Sequence, residues 1–112
     1  MRGDSLGEFE EIVLLSVLVL GEEASGYAIK KEINQNTGRG ISRGALHTSL
    51  SRLETKGYVS SKQGEANKAR RGRPKRYYEV TNRGKTALHA AKEMRDQLWD
   101  RIPDIRLELH YG

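Results

Sequence analysis

The segment from Phe9 to Leu20 leaves this 112-residue chain few folds to choose from. Its first turn carries Glu8, Glu10 and Glu11, and from Ile12 to Leu20 only Ser16 is polar. Acidic side chains in a first turn suit the positive end of the helix dipole. A helix that is apolar around its whole circumference is buried on every side. The pattern predicts a helix from about Leu6 to Leu20, ended by Gly21. The run is roughly half as long as a membrane span requires, so it reads as a core helix. A chain of this size builds one modest core. Burial on two sides therefore calls for a second subunit to cover one of them.

Two more helices follow. Ser25 is a good N-cap, and a helix to about Gln35 would turn Tyr27, Ile29 and Ile33 inward and Lys30, Lys31 and Glu32 outward. The stretch 36–40 is a turn. Ser42 starts a third helix that runs to about Lys56 and stops at Gly57. Leu46, Leu50 and Leu53 give it one buried stripe at the i, i+4, i+7 spacing. Its opposite side presents Gly44, Thr48, Ser51 and Thr55, with Arg43, His47 and Arg52 at the edges. That side is small and polar, which lets the helix backbone come close to a large rigid object.

The segments 58–62 and 76–80 read as strands, rich in aromatic and β-branched residues. They pair as a hairpin around a long loop, residues 64–75, and long loops are usually functional or mobile. The loop holds Lys68, Arg70, Arg71, Arg73 and Lys75 against the single acid Glu65, so it is expected to stay disordered until a polyanion screens it. Thr81 or Asn82 caps a last helix to about Ile102, because Pro103 disfavours helix before it. Leu88, Ala91, Met94 or Arg95, Leu98 and Ile102 form its stripe, with Trp99 on the flank. No other predicted element covers that stripe, and the simplest cover is its equivalent in a second chain. In the tail, Ile105, Leu107 and Leu109 alternate, which permits a short strand or a loosely packed end.

Charge is unevenly placed. Residues 30–85 hold fifteen basic and four acidic side chains, and the segments on either side are acidic or nearly neutral. A localised positive field points to a polyanionic partner. With no cysteine there are no disulfides and no thiolate chemistry, in keeping with a reducing cytoplasm. No secretory signal is apparent. The three histidines are scattered, no glycine-rich loop has phosphate-binding spacing, and Asp96, Asp100 and Asp104 read as solvated surface acids. Neither an enzyme, a metal site nor a cofactor is expected.

The element order is helix, helix, helix, strand, basic loop, strand, helix. That is a winged helix-turn-helix with one added helix, mainly α with a small β-hairpin. The division expected is residues 1–81 as the winged-helix part and residues 82–112 as a C-terminal dimerisation helix and tail. The sequence resembles the PadR family of regulators. The resemblance rests on Phe9 to Leu20, Ser25-Gly26-Tyr27-Ala28-Ile29, the segment from Ile41 to Glu54, Lys56-Gly57-Tyr58-Val59, and the segment from Gly72 to Gly84. One departure is His47, where the family usually has tyrosine. The short C-terminal segment fits the family's compact branch with a single C-terminal helix.

The resemblance implies a homodimeric regulator, usually a repressor, on an imperfect inverted-repeat operator. It implies that the third helix enters the major groove of double-stranded DNA and that the last helices exchange across the dimer. Candidates for base edges are Arg43, Thr48, Ser51 and Arg52, beside the N-cap Ser42; arginine can grip guanine with two bonds, and Ser or Thr can serve several bases. The alternative for Arg52 is an ion pair with Glu8 or Glu11. His47 is a candidate phosphate contact, the alternative being that it fills a packing gap. Arg71-Gly72-Arg73-Pro74 matches the core of an AT-hook, which lays arginines in a narrow minor groove. Lys30, Lys31, Lys62, Lys68 and Lys75 are phosphate partners. The dimer interface is expected at Phe9, Ile12, Leu88, Ala91, Leu98, Trp99 and Ile102. In the multidrug-sensing branch of the family a C-terminal-helix tryptophan stacks on flat aromatic ligands, so Trp99 is also a candidate contact for a small aromatic effector. The competing reading is a winged-helix module that binds protein or RNA without operator specificity.

Overall fold

A computed structural model describes residues 6–64 and 75–109. It contains α1 (Glu8–Leu20), a short 3-10 turn (Gly21–Glu23), α2 (Gly26–Thr37), α3 (Arg43–Thr55), β1 (Val59–Gln63), β2 (Arg76–Val80), α4 (Asn82–Asp100) and one further helical turn, α5 (Asp104–Leu107). The element order matches the sequence reading, and the architecture is a winged helix-turn-helix followed by a long helix.

Three side-chain caps set the helix starts. Ser25 Oγ accepts from the Ala28 amide at 3.2 Å, Ser42 Oγ from the Ala45 amide at 3.0 Å, and Thr81 Oγ1 from the Gly84 amide at 3.0 Å. Each satisfies a donor that the first helical turn leaves without an intrahelical partner. At the other end of α2, Gly38 takes the left-handed conformation (φ 69°), and its amide donates to the Asn34 carbonyl at 3.1 Å.

The core lies between α1, α2, α3 and the base of the hairpin. Val13, Leu14 and Val17 of α1 meet Ile29 and Ile33 of α2 and the stripe Leu46, Leu50 and Leu53 of α3. Tyr58, Val59, Val80 and Leu88 close the cluster. Burial of α1 is one-sided within the protomer, for Leu15, Leu18 and Val19 are exposed. Tyr27, expected on the core side of α2, is instead 71% exposed. The reason is angular: at 100° per residue it lies 200° from Ile29, on the opposite side. The tail forms the turn α5, Asp104–Leu107, rather than a strand, and among the described residues the sheet has only β1 and β2.

The two strands are antiparallel, with Val59 opposite Val80, Ser61 opposite Tyr78 and Gln63 opposite Arg76. The other edge of β2 is not left bare. The Tyr78 amide donates to the Ala24 carbonyl at 2.9 Å, and Tyr77 bridges Ser25. The hairpin is thus hydrogen-bonded to the residue just before the cap of α2. Where α4 leaves the hairpin it passes very close to β1. A Cβ on Gly84 would stand 2.2 Å from the Tyr58 carbonyl oxygen and 2.8 Å from Val80 Cγ1, so only glycine fits there.

Candidate nucleic-acid interface

The helix-turn-helix owes its geometry to one side chain that the sequence reading did not single out. Asn34, near the end of α2, accepts from the Ile41 amide through Oδ1 at 2.7 Å and donates to the Ile41 carbonyl through Nδ2 at 3.3 Å. This pair clips the 38–42 turn shut and fixes where Ser42 begins α3. Only the partner two elements' ends away, invisible in the sequence, distinguishes Asn34 from the neighbouring Asn36.

The outward side of α3 emerges as expected. Ser42, Arg43, His47, Thr48, Ser51 and Arg52 are all exposed, and Leu46, Leu50 and Leu53 are buried behind them. Besides a groove that Glu8 and Glu10 of α1 line together with Thr48 and Arg52, two shallow grooves flank this side. One, of about 720 Å³, lies between the first turns of α2 and α3 and is lined by Tyr27, Lys30, Arg43, Gly44 and His47, with Tyr78 at its edge. The second, of about 430 Å³, runs along α3 past His47, Thr48, Ser51, Arg52 and Lys56. His47 borders both.

Arg52 does not make the ion pairs weighed for it. Glu8 is taken by Arg39 at 2.7 Å, Glu10 by Lys56 at 2.9 Å, and Glu11 by Arg95. Arg39 also lies over the Phe9 ring, 5.8 Å from its centre. The Glu10 carboxyl is pushed up by partial burial, but the Gly7 amide and the Lys56 ammonium outweigh this and hold it below the usual carboxylate range. The Glu11 carboxyl is held low chiefly by the Arg95 guanidinium, against some desolvation. Glu8 and Glu10 line a further groove with Thr48 and Arg52, and Arg52 adds to the positive field that holds the Glu10 carboxyl low.

Lys31 and Lys62 are exposed, while Lys30 and Lys75 are half-buried. Lys68, Arg70, Arg71 and Arg73 lie outside the described residues, as does the AT-hook-like stretch. Tyr27 stands beside Lys30 at the mouth of the larger groove, an interface position that the helical phase of α2 would have revealed. Among the residues assigned to a dimer interface, Leu88 is only 8% exposed and is already spent on the protomer's own core. Phe9, Ile12, Ala91 and Ile102 are half-buried, and Leu98 and Trp99 are each 59% exposed. Arg95 sits one turn before Trp99, and its Nη1 donates to Glu11 Oε2 at 2.7 Å, tying α4 to α1 within one protomer. Among the described residues no group of three or more His, Asp or Glu side chains is placed to hold a metal ion. Nor is any helix there long and apolar enough to cross a membrane.

A family model described as "Transcriptional regulator PadR-like family" matches residues 14–90, from the middle of α1 to the middle of α4. No curated protein matches the sequence. Several solved structures are similar. A PadR family transcription regulator from Clostridium difficile R20291 shares 25% identity over 82% of this chain and 92% of its own, with a TM-score of 0.64. The PadR family transcriptional regulator of Eggerthella lenta DSM 2243 shares 25% identity over 88% of this chain and 87% of its own, with a TM-score of 0.62. The complex structure of hsRosR-S4 shares 29% identity over 90% of this chain and 80% of its own, with a TM-score of 0.64. With two-thirds of its length matched by the family model and this architecture around it, the chain belongs to the PadR-like family of DNA-binding transcriptional regulators, and it is not an enzyme.

Proposed function

We propose that the chain is a transcriptional repressor that binds an inverted-repeat operator as a homodimer, each protomer laying α3 in a major groove. The observation that carries this reading is the outer side of α3. Its exposed side chains are small, polar or basic, two of them arginines, and the carboxylates of Glu8, Glu10 and Glu11 are each paired with a cation. Arg43, Thr48, Ser51 and Arg52 supply base contacts, and Ser42, His47, Lys30, Lys31, Lys62 and Lys75 supply phosphate contacts that set register without reading sequence. The wing residues Lys68, Arg70, Arg71 and Arg73 add a minor-groove or phosphate contact.

Pairing is supported by the apolar surface left uncovered. Leu15, Leu18 and Val19 of α1 and Met94, Leu98 and Trp99 of α4 are exposed in the protomer. Exposed apolar surface of this extent usually marks an interaction site. The half-buried Phe9, Ile12, Ala91 and Ile102 frame it. In the same reading a flat aromatic effector would stack on Trp99 and release the DNA.

Selection of bound DNA from a random pool tests the reading directly. The expected result is a two-fold-symmetric consensus. A dimer that neutralises about eight phosphates should show log K falling against log salt with a slope of roughly −7. A chain that sediments as a single subunit and retains no duplex even in dilute buffer would refute it.

A further inference from the structure

His47 occupies a position at which a proton would matter to a bound polyanion. It lies one turn beyond Arg43 and one turn before Ser51 on the exposed side of α3, and it is the one side chain that borders both grooves. It shares the first groove with Tyr27 and Lys30 of α2, Tyr78 of β2 and Arg43 of α3, and the second with Arg52 and, at the helix end, Lys56. Every charged group among these is a cation, and no carboxylate lines either groove. Neither groove thus sets a carboxylate beside His47; Glu10, which lines an adjoining groove with Thr48 and Arg52, is bonded to Lys56. A duplex laid on α3 would bring its phosphates there as the missing anion.

We propose that DNA binding by this chain takes up a proton at His47, so that affinity rises as pH falls through the range in which imidazole titrates. The inference rests on α3 being the reading head. The balance is simple: one proton leaves solution for the imidazole of each bound protomer, and the imidazolium then donates a charge-assisted hydrogen bond to a phosphate oxygen. The sign follows from linkage. A bound state that favours the protonated form gains affinity at low pH and loses it as pH rises. One phosphate that raises the imidazole's proton affinity tenfold changes DNA affinity by about tenfold per reading head between mildly acidic and mildly basic solution.

The test is an equilibrium titration of the full chain against the duplex recovered from the random-pool selection, repeated from about pH 5.5 to about pH 8.5 at constant ionic strength. Wild type should bind more tightly at the acidic end, by about tenfold for each head engaged. His47→Gln should bind with nearly flat pH dependence, at the level wild type reaches in base. His47→Arg, a permanent cation, should also be flat but stay tight throughout. His89→Gln on α4 should keep the wild-type slope. Because His47 is exposed, these variants should fold, which circular dichroism checks. Tight wild-type binding without pH dependence, or a slope that survives in His47→Gln, would overturn the inference and leave the reading of α3 intact. Failure of wild type to bind the duplex at any pH would overturn both.

Discussion

Replacing Gly84 by alanine sets two ordinary effects against each other, and the structure decides the winner. Gly84 lies in the first turn of α4, where helix propensity alone favours alanine over glycine by up to about 1 kcal/mol. The added Cβ would stand 2.2 Å from the Tyr58 carbonyl oxygen, well inside the 3.0 Å that real Cβ contacts respect, and 2.8 Å from Val80 Cγ1. The obstruction is backbone, so it cannot rotate away. That carbonyl is also the acceptor for the Thr81 amide at 3.0 Å, and pushing it aside loosens the bond that starts α4. Overpacking costs about 1–3 kcal/mol, and the weakened hydrogen bond about 1 kcal/mol more. The net loss is about 1–3 kcal/mol, a fall in Tm of roughly 5–20 °C for a domain of this size. Thermal melts by circular dichroism should be compared at matched concentration, since pairing would make Tm concentration-dependent. Gly44→Ala is the control. A Cβ at Gly44 meets nothing within 4 Å, so it should melt no lower than wild type. A Gly84→Ala protein that melts at or above wild type would refute the close-packing argument.

Three other outcomes follow from the geometry. Asn34→Ala removes both bonds to Ile41 and should cost about 1–3 kcal/mol in urea unfolding; because it frees the turn before α3, it should also weaken duplex binding, whereas Asn36→Ala should do neither. The Glu11 carboxyl is held below its ordinary value in the folded protein, so its contribution is present above the usual carboxylate range and lost as pH falls through that range. Wild type should therefore lose Tm on acidification, and Glu11→Gln should lose less between neutral pH and pH ~4. Trp99→Ser, at an exposed site, should leave the protomer's circular dichroism unchanged yet raise the concentration at which the chain dissociates in sedimentation; unchanged assembly would remove Trp99 from the proposed interface.

Much of the architecture is legible in the sequence because it is local. Ser25, Ser42 and Thr81 announce helix starts through their own first turns, and Leu46, Leu50 and Leu53 declare the buried side of α3 by spacing alone. The exposed set Ser42, Arg43, His47, Thr48, Ser51 and Arg52 is simply the complement of that stripe. What escaped was tertiary or needed stricter angular bookkeeping. Tyr27 was grouped with Ile29 by hydrophobicity, although two residues of helix separate their directions by 200°. The clip from Asn34 to Ile41 depends on where a turn doubles back. The pairing of Glu11 with Arg95 joins residues 84 positions apart in the sequence, and nothing in either neighbourhood marks it. The tail could not be assigned by alternation, because a strand needs an edge to join.

The hydrogen bonds from Tyr78 to Ala24 and the bridge from Tyr77 to Ser25 make the base of the wing and the start of α2 one piece. With Asn34 locking α2 to α3, the distance between the side proposed to read bases and the root of the wing is set like the jaws of a closed caliper. A duplex whose grooves differ in width from that setting has to bend or twist to be gripped at both places. Sequences that deform at low cost would then be preferred even at base pairs no side chain reaches.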